Sequence, residues 1–197
     1  MGTEIQPAAR GDIPLLAAVM SAAFHNDPVS SWLFPDPEQR PARHSSMFRA
    51  FLRHAWRTGG EVHTTTELDA VALWLDLTGE EPDILSGRFG DELNLACGND
   101  FPRFFILATA MNTSHPGGPH TYLPFVAVLP QAQGRGLGTA LLSRKLAALD
   151  TTGRPAYLEA SNERSIPLYE RLGFRQSRRI DLVNGPPLWP MWRDPQP

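Results

Sequence analysis

One turn constrains this chain more than any other feature: Val126-Ala127-Val128-Leu129-Pro130-Gln131-Ala132-Gln133-Gly134-Arg135-Gly136-Leu137-Gly138-Thr139. An apolar run that reads as a buried strand enters it, and three glycines alternate through it. A Leu-rich stretch that reads as a helix leaves it. Glycine has no Cβ, so backbone N–H groups converge there without side-chain interference, and the helix start adds a partial positive charge. Together they form an anion site suited to a pyrophosphate. Leu142, Leu146 and Leu149 then fall on one stripe, with Leu141 and Ala148 beside it. The helix therefore packs on a sheet and holds the turn rigid.

Three phosphate-binding classes compete for such a turn. A Walker A loop needs Gly-Lys-Ser/Thr after its spacer, and the turn has no Lys. A dinucleotide fingerprint is nearer, because Glu159 ends the next strand where a ribose-binding acid sits. However, Thr139 stands at the third glycine position, and residues 130–133 separate the strand from Gly134. Fewer than 60 residues follow, too few to complete a doubly wound sheet. The third class fits: Gln133-x-x-Gly136-x-Gly138 resembles the Arg/Gln-x-x-Gly-x-Gly/Ala pyrophosphate loop of the GNAT N-acetyltransferases. The Val126-x-Val128-x-Pro130 lead-in resembles that family's fourth strand.

A second segment arrives in the same order and at about the family's spacing. Asn162-Glu163-Arg164-Ser165-Ile166-Pro167-Leu168-Tyr169-Glu170-Arg171-Leu172-Gly173-Phe174 resembles the family's Asn-x-x-Ala-x-x-Leu-Tyr-x-x-x-Gly-Phe, with Ser165 where Ala is usual. Tyr169 lies seven residues past Asn162, two helical turns along the same face. Gly173 sits where a helix favours its C-terminal glycine. Looser likeness to the puromycin N-acetyltransferase group and its actinobacterial relatives runs through Ala22-Ala23-Phe24, Ala70-Val71-Ala72-Leu73-Trp74, Pro155-Ala156-Tyr157-Leu158-Glu159 and Gly185-Pro186-Pro187-Leu188-Trp189.

The resemblance implies an α/β (α+β) GNAT fold. Its central mixed, mostly antiparallel twisted sheet has about six to seven strands, splays at strands 4 and 5, and is flanked by helices. It also implies acetyl-CoA as co-substrate and direct attack of an amine on the thioester in a ternary complex. Gln133, Gly134, Arg135, Gly136, Leu137, Gly138 and Thr139 would hold the pyrophosphate. The main chain at Val126, Ala127 and Val128 would meet the thioester carbonyl, and Asn162 the pantetheine arm. Tyr169 would be the general acid. Glu159 is the first candidate for base and His120 the competing one. Asp27, Trp32, Trp74 and Trp189 would line the acceptor pocket.

A base matters because an ε-amine with pKa near ~10.4 is neutral about once in 10³ to 10⁴ at pH 7, and an α-amine near ~8 about once in ten. A phenol near ~10 remains protonated and is a proton donor for the departing thiolate.

The bulk composition excludes more than it selects. The 197 residues fit one domain spanning 1–197, and a net charge of −3 favours neither nucleic acid nor an anionic membrane surface. Seventeen of the eighteen basic residues are Arg, Lys145 being the exception, which reads as the codon bias of a GC-rich genome. Cys97 is the sole cysteine, so there is no internal disulfide or thiolate zinc site. His44, His54, His63 and His115 lack metal-ligand spacing, and no metal is expected. The apolar run at 13–24 is shorter than the about 20 residues that a bilayer requires. Glu4 and Asp12 flank it where a signal peptide is basic, so the expected location is cytoplasmic.

Along the chain, the pattern gives a strand at 3–7, a helix at 13–24 capped by Asp12, an apolar turn at 28–37 and a helix at 41–57. A hairpin over 62–66 and 70–77 follows, then a polar stretch at 78–90, a mostly helical region at 91–112 and a breaker-rich loop at 112–120. The back third alternates strand 122–129, helix 137–150, strand 156–160, helix 163–172 and strand 174–183, with a final strand at 189–193.

The expected function is transfer of an acetyl group to a primary amine of a small molecule such as an aminonucleoside or other antibiotic, with antibiotic resistance as one role. A protein N-terminus or a polyamine is the alternative acceptor. From other classes, a non-catalytic acyl-CoA-binding sensor and a dinucleotide-binding oxidoreductase stay open; NADH binding without acetyl-CoA binding would favour the latter. GNAT relatives often dimerise, and a homodimer is the assembly the resemblance implies.

Overall fold

The strand β3 (Ala70–Leu77) shows how the sequence divides the interior. Successive side chains on a strand face opposite sides. Val71, Leu73 and Leu75 enter one core, while Ala70, Ala72 and Trp74 enter another on the far face. A strand covered on both faces reads as a continuous apolar run, as this one does. The computed structural model describes residues 4–79 and 84–197. Thr3 of the first expected strand and residues 80–83 of the expected polar stretch lie outside the described residues.

Eight strands form among the described residues. β1 (Ile5–Pro7), β2 (Glu61–Thr65), β3 and β4 (His120–Val128) pair antiparallel in sequence order. β4 then meets β5 (Ala156–Ala160) in parallel, and β8 (Pro187–Arg193) follows antiparallel. The short β6 (Arg175–Gln176) and β7 (Ile180–Asp181) both pair with β8. The sheet is thus mixed and mostly antiparallel, one strand larger than the expected upper count.

One face is covered by α1 (Ile13–Phe24), α2 (Pro28–Leu33), α3 (Arg40–Arg57), α4 (Gly87–Cys97) and α5 (Phe101–Ser114). The other carries α6 (Leu137–Thr151) and α7 (Ile166–Arg171), with Leu141, Leu142, Leu146 and Leu149 packed on the sheet as the leucine stripe requires. The Lys145 ammonium, nearly buried, pairs with Glu61 at 2.6 Å and ties α6 to β2. Arg40 is also buried. Its guanidinium donates to the carbonyls of Phe34, His25 and Pro35 and so fixes the loop between α2 and α3.

Three boundaries differ from the sequence reading. The helical region at 91–112 is two helices, because Gly98 adopts φ 54° between them; the Arg43 guanidinium occupies the space a Cβ would need. The strand expected at 174–183 is interrupted. From Gln176↔Met191 to Ile180↔Leu188 it advances four residues against three, a bulge beside Pro190, which has no N–H to donate. Asp12 begins α1 but does not cap it through its side chain; its carboxylate takes the N–H of Ala9 instead.

Candidate active site

β4 is where the sheet opens. Between Leu73↔Phe125 and Leu75↔Tyr122 it spends three residues on two of β3, so the strand bulges at Leu123–Pro124. Its parallel register with β5 covers only Thr121↔Ala156 and Tyr122↔Tyr157. Beyond Tyr122 the two strands separate, and β4 has no strand partner on that side. A cavity of about 790 Å³ fills the wedge.

One wall of the cavity is made of backbone. Val126, Ala127 and Val128 line it, followed by Gln133, Gly134 and Gly138. Gly134 and Gly136 have φ of 76° and 80°, and a Cβ at either would point into open space. Their lack of side chains therefore serves backbone conformation and access rather than packing. Gly136 starts α6, so the first N–H groups of a 15-residue helix face this turn. Gln133 Nε2 donates to the Val128 carbonyl at 3.2 Å and closes the turn on the strand. These features fit the pyrophosphate and pantetheine of a coenzyme A thioester. Arg135 is exposed, 3.7 Å from Asp69, and Leu137, the first residue of α6, is buried. Arg135, Gly136, Leu137 and Thr139 lie outside the cavity lining.

The opposite wall is made of side chains. Phe24, Phe48, Phe51 and Phe125 stack edge to face and tilted, with centroid separations from 4.8 to 6.0 Å. Met47, Phe89, Phe104 and Leu107 extend the apolar lining.

Polar groups cluster at two points of the lining. Asp27 Oδ1 caps α2 by accepting from the N–H groups of Val29 and Ser30, and its Oδ2 accepts from Ser161 at 2.6 Å. Burial raises the Asp27 pKa against these three hydrogen bonds. Tyr169, 7% exposed, sits near it. Burial pushes its phenol up to about 12, with the Asp27 charge adding and the Ser165 hydroxyl opposing. Asn162 Oδ1 accepts from Arg164 N–H at 3.0 Å, which leaves its amide as the unused donor.

At the second point, Glu159 lines the cavity with its carboxylate nearly buried. Oε2 accepts from the Tyr122 hydroxyl at 2.8 Å, and Oε1 faces His115 Nδ1 at 3.6 Å. Burial, then the Glu159 charge, raises both Tyr122 and Tyr157 far above the ordinary phenol range.

Of the residues expected from sequence, Glu159, Tyr169, Asn162 and Asp27 therefore come together around one cavity. His120 does not reach it; it is 1% exposed and stands behind His115. Three expected acceptor residues also lie elsewhere. Trp74 is 1% exposed in the α6-side core, where the alternation of β3 sends it. Trp189 pairs with Ala160 and packs against that same core. Trp32 packs against Gly185, and its carbonyl accepts from Arg103. Arg164, Ser161, Tyr122 and the phenylalanine wall line the cavity without having been singled out from sequence.

A family model described as "Acetyltransferase (GNAT) family" matches residues 49–174, more than half of the chain, and contains β4, the glycine turn, Glu159 and Tyr169. The chain belongs to the GNAT acetyltransferase family. Members of this family take acetyl-CoA as co-substrate.

Among solved structures, a Corynebacterium glutamicum protein described as "histone acetyltransferase HPA2 and related acetyltransferase" is 27% identical, with a TM-score of 0.72 over 100% of this chain and 98% of that one. Arylalkylamine N-acetyltransferase 2 from Aedes aegypti, 14% identical, shares the fold at a TM-score of 0.69 over the whole of both chains. Mycothiol acetyltransferase of Streptomyces griseus is 43% identical over 61 residues, 29% of this chain and 20% of that protein. The Mycobacterium avium protein of the same name is 41% identical over 76 residues, 34% and 23%. The chain thus matches about a fifth of the length of these curated relatives. Among the described residues, no helix is long and apolar enough to cross a membrane, and no group of three His, Cys, Asp or Glu side chains would hold a metal ion.

Proposed function

We propose that this GNAT family member transfers the acetyl group of acetyl-CoA to the primary amine of an apolar small molecule. The observation that carries the reading is that Glu159 and Tyr169 line a single cavity continuous with the Gln133–Gly138 turn. The glycine turn and the α6 N-terminus bind pyrophosphate, and the open edge of β4 positions the thioester. Asn162 offers its amide to the pantetheine arm.

Glu159 takes the proton of the attacking amine, whose N–H bond breaks as the carboxyl O–H forms. Tyr169 acts opposite. Held near 12, its phenol remains protonated at neutral pH but is a weaker acid than a thiol of about 8.5. Full proton transfer to sulfur therefore runs uphill by several pKa units. Tyr169 assists departure by donating a hydrogen bond to the sulfur as charge develops on it.

The aromatic wall supports an acceptor with a ring or other bulky apolar body, an aminonucleoside antibiotic among them. A polyamine would need several carboxylates along the cavity. The lining offers Glu159 and Asp27, and Asp27 is already committed to α2 and Ser161.

The test is release of free CoA, followed with a thiol reagent, from purified protein, acetyl-CoA and a panel of amines that includes puromycin, an arylalkylamine, agmatine and a protein N-terminal peptide. Release with an apolar amine supports the reading. A thermal shift with acetyl-CoA but no release with any amine would favour the sensor class, and no response to acetyl-CoA would sink the proposal.

A further inference from the structure

Glu159 belongs to a line of groups that continues away from the cavity. Its Oε1 is buried, has no hydrogen-bond partner, and faces His115 Nδ1. His115 Nε2 lies 3.0 Å from His120 Nε2, and His120 Nδ1 lies 2.8 Å from the carbonyl of Gly118. Carbonyl chemistry fixes the protons along it. A carbonyl only accepts, so His120 carries hydrogen on Nδ1. Burial, with His115 and Arg154 nearby, holds the His120 pKa below the ordinary imidazole value against the Gly118 hydrogen bond and the Glu159 charge. Its Nε2 is therefore a bare lone pair at neutral pH. Two bare ring nitrogens do not approach to 3.0 Å, so His115 Nε2 carries the proton between them.

The consequence falls on the next gap. If His115 Nδ1 were also bare, its lone pair would stand 3.6 Å from an anionic oxygen in a buried site, where only the Tyr122 and Tyr157 hydroxyls otherwise face the carboxylate. One proton therefore resides between His115 and Glu159. Two hydrogen bonds decide where it sits. Tyr122 donates to Glu159 Oε2 and favours the carboxylate, while His120 accepts from His115 Nε2 and favours the imidazolium. The other titratable or charged groups facing this line are Tyr157 on β5 and Arg154 ahead of it, with the Trp192 ring of β8 over His120. Tyr122 and Tyr157 are both held neutral, so neither competes for the charge.

From this juxtaposition we infer that His115 and His120 are positioning residues: His120 orients His115 as an imidazolium, and His115 keeps the buried Glu159 carboxylate ionised and ready to accept a proton. The inference rests on the proposed role of Glu159 as the base. It assigns His120 a place one step behind that base.

The experiment has two arms on the full chain. Imidazole ¹⁵N shifts of the unmodified protein at pH 7 should show His120 as the neutral Nδ1–H tautomer and His115 doubly protonated. A neutral His115, or a proton on His120 Nε2, overturns the inference without reference to catalysis. In the second arm, kcat/KM is followed from pH 5.5 to 9.5 for the unmodified enzyme and for His115→Phe, which keeps a ring without nitrogens. The expected result is a rise of the acid limb by about one pH unit or more, seen as an about tenfold loss near pH 6 that closes toward pH 9. A loss equal at every pH marks a packing role and overturns it. If His115→Phe does not fold, His120→Asn is read in the same way. Absence of acetyl transfer by the unmodified protein would defeat the base reading of Glu159, while the ¹⁵N arm would still report on the histidine pair.

Discussion

The two walls of the cavity are built from different materials. The wall proposed to hold the coenzyme is backbone: the open edge of β4, two glycines of positive φ and the start of α6. The wall proposed to face the acceptor is side chains: phenylalanines from α1, α3 and β4, with Asp27 and Glu159 at its polar points. A backbone wall can only be made by particular residues at particular offsets, because few residues tolerate the conformation. A side-chain wall can be made by any apolar residues that fill the volume, so it changes readily with the acceptor.

Four measurements bear on this contrast. Tyr169→Phe leaves both walls intact while removing the hydrogen bond proposed to reach sulfur, and kcat should fall about 10³-fold. The thermal shift induced by acetyl-CoA should persist; if kcat stays within a few-fold, Tyr169 belongs to packing.

The core behind the phenylalanine wall carries an acid sensitivity. His44 is fully buried against Phe34 and Phe48, and burial lowers its pKa from 6.5 to about 4. Between those values the unfolded chain binds a proton that the folded chain refuses. Stability is therefore retained above pH 6.5 and lost as pH falls toward 4, by up to about 3 kcal/mol. His44→Phe should remove that component, as read from urea denaturation at pH 7.5 and pH 4.5. An unchanged pH dependence would place the sensitivity elsewhere.

Gly136→Ala attacks the backbone wall alone. It forces a side chain into φ 80°, costs about 1–2 kcal/mol of stability, and should raise the KM for acetyl-CoA several-fold with the acceptor KM unchanged. Equal shifts in both KM values would deny that the walls are separate. The smallest effect is expected for Trp74→Phe. Its indole N–H is buried without a partner, so replacement removes no hydrogen bond; the smaller ring leaves a cavity that costs about 1–2 kcal/mol of stability, with kcat and both KM values unchanged. A changed acceptor KM would return Trp74 to the acceptor site.

This division also explains what could be read from the sequence. Gln133, Gly136, Gly138, Asn162 and Tyr169 announce themselves because strand, turn and helix must follow in register, and the resemblance in these segments carried the fold with it. Trp74 and Trp189 were misleading because residue type alone does not say which face of a strand is turned to a cavity. For Trp74 the alternation with Ala70 and Ala72 held that information, but the two faces of β3 are equally apolar. The phenylalanine wall left no signal, since its members come from three elements and read as ordinary core. His115 was hidden in a breaker-rich loop whose path only the folded chain shows. The bulge in β4 had one visible trace, Pro124 inside an otherwise regular strand.

The tie between α6 and β2 has a consequence for the protein's own chemistry. Lys145 is the sole lysine of the chain, and its ammonium is nearly buried and paired with Glu61. A protein that gathers a reactive thioester thus displays no free lysine side chain among its described residues to be modified by it. Reagents that label lysine will react poorly with the folded chain, and reaction at Lys145 will report unfolding.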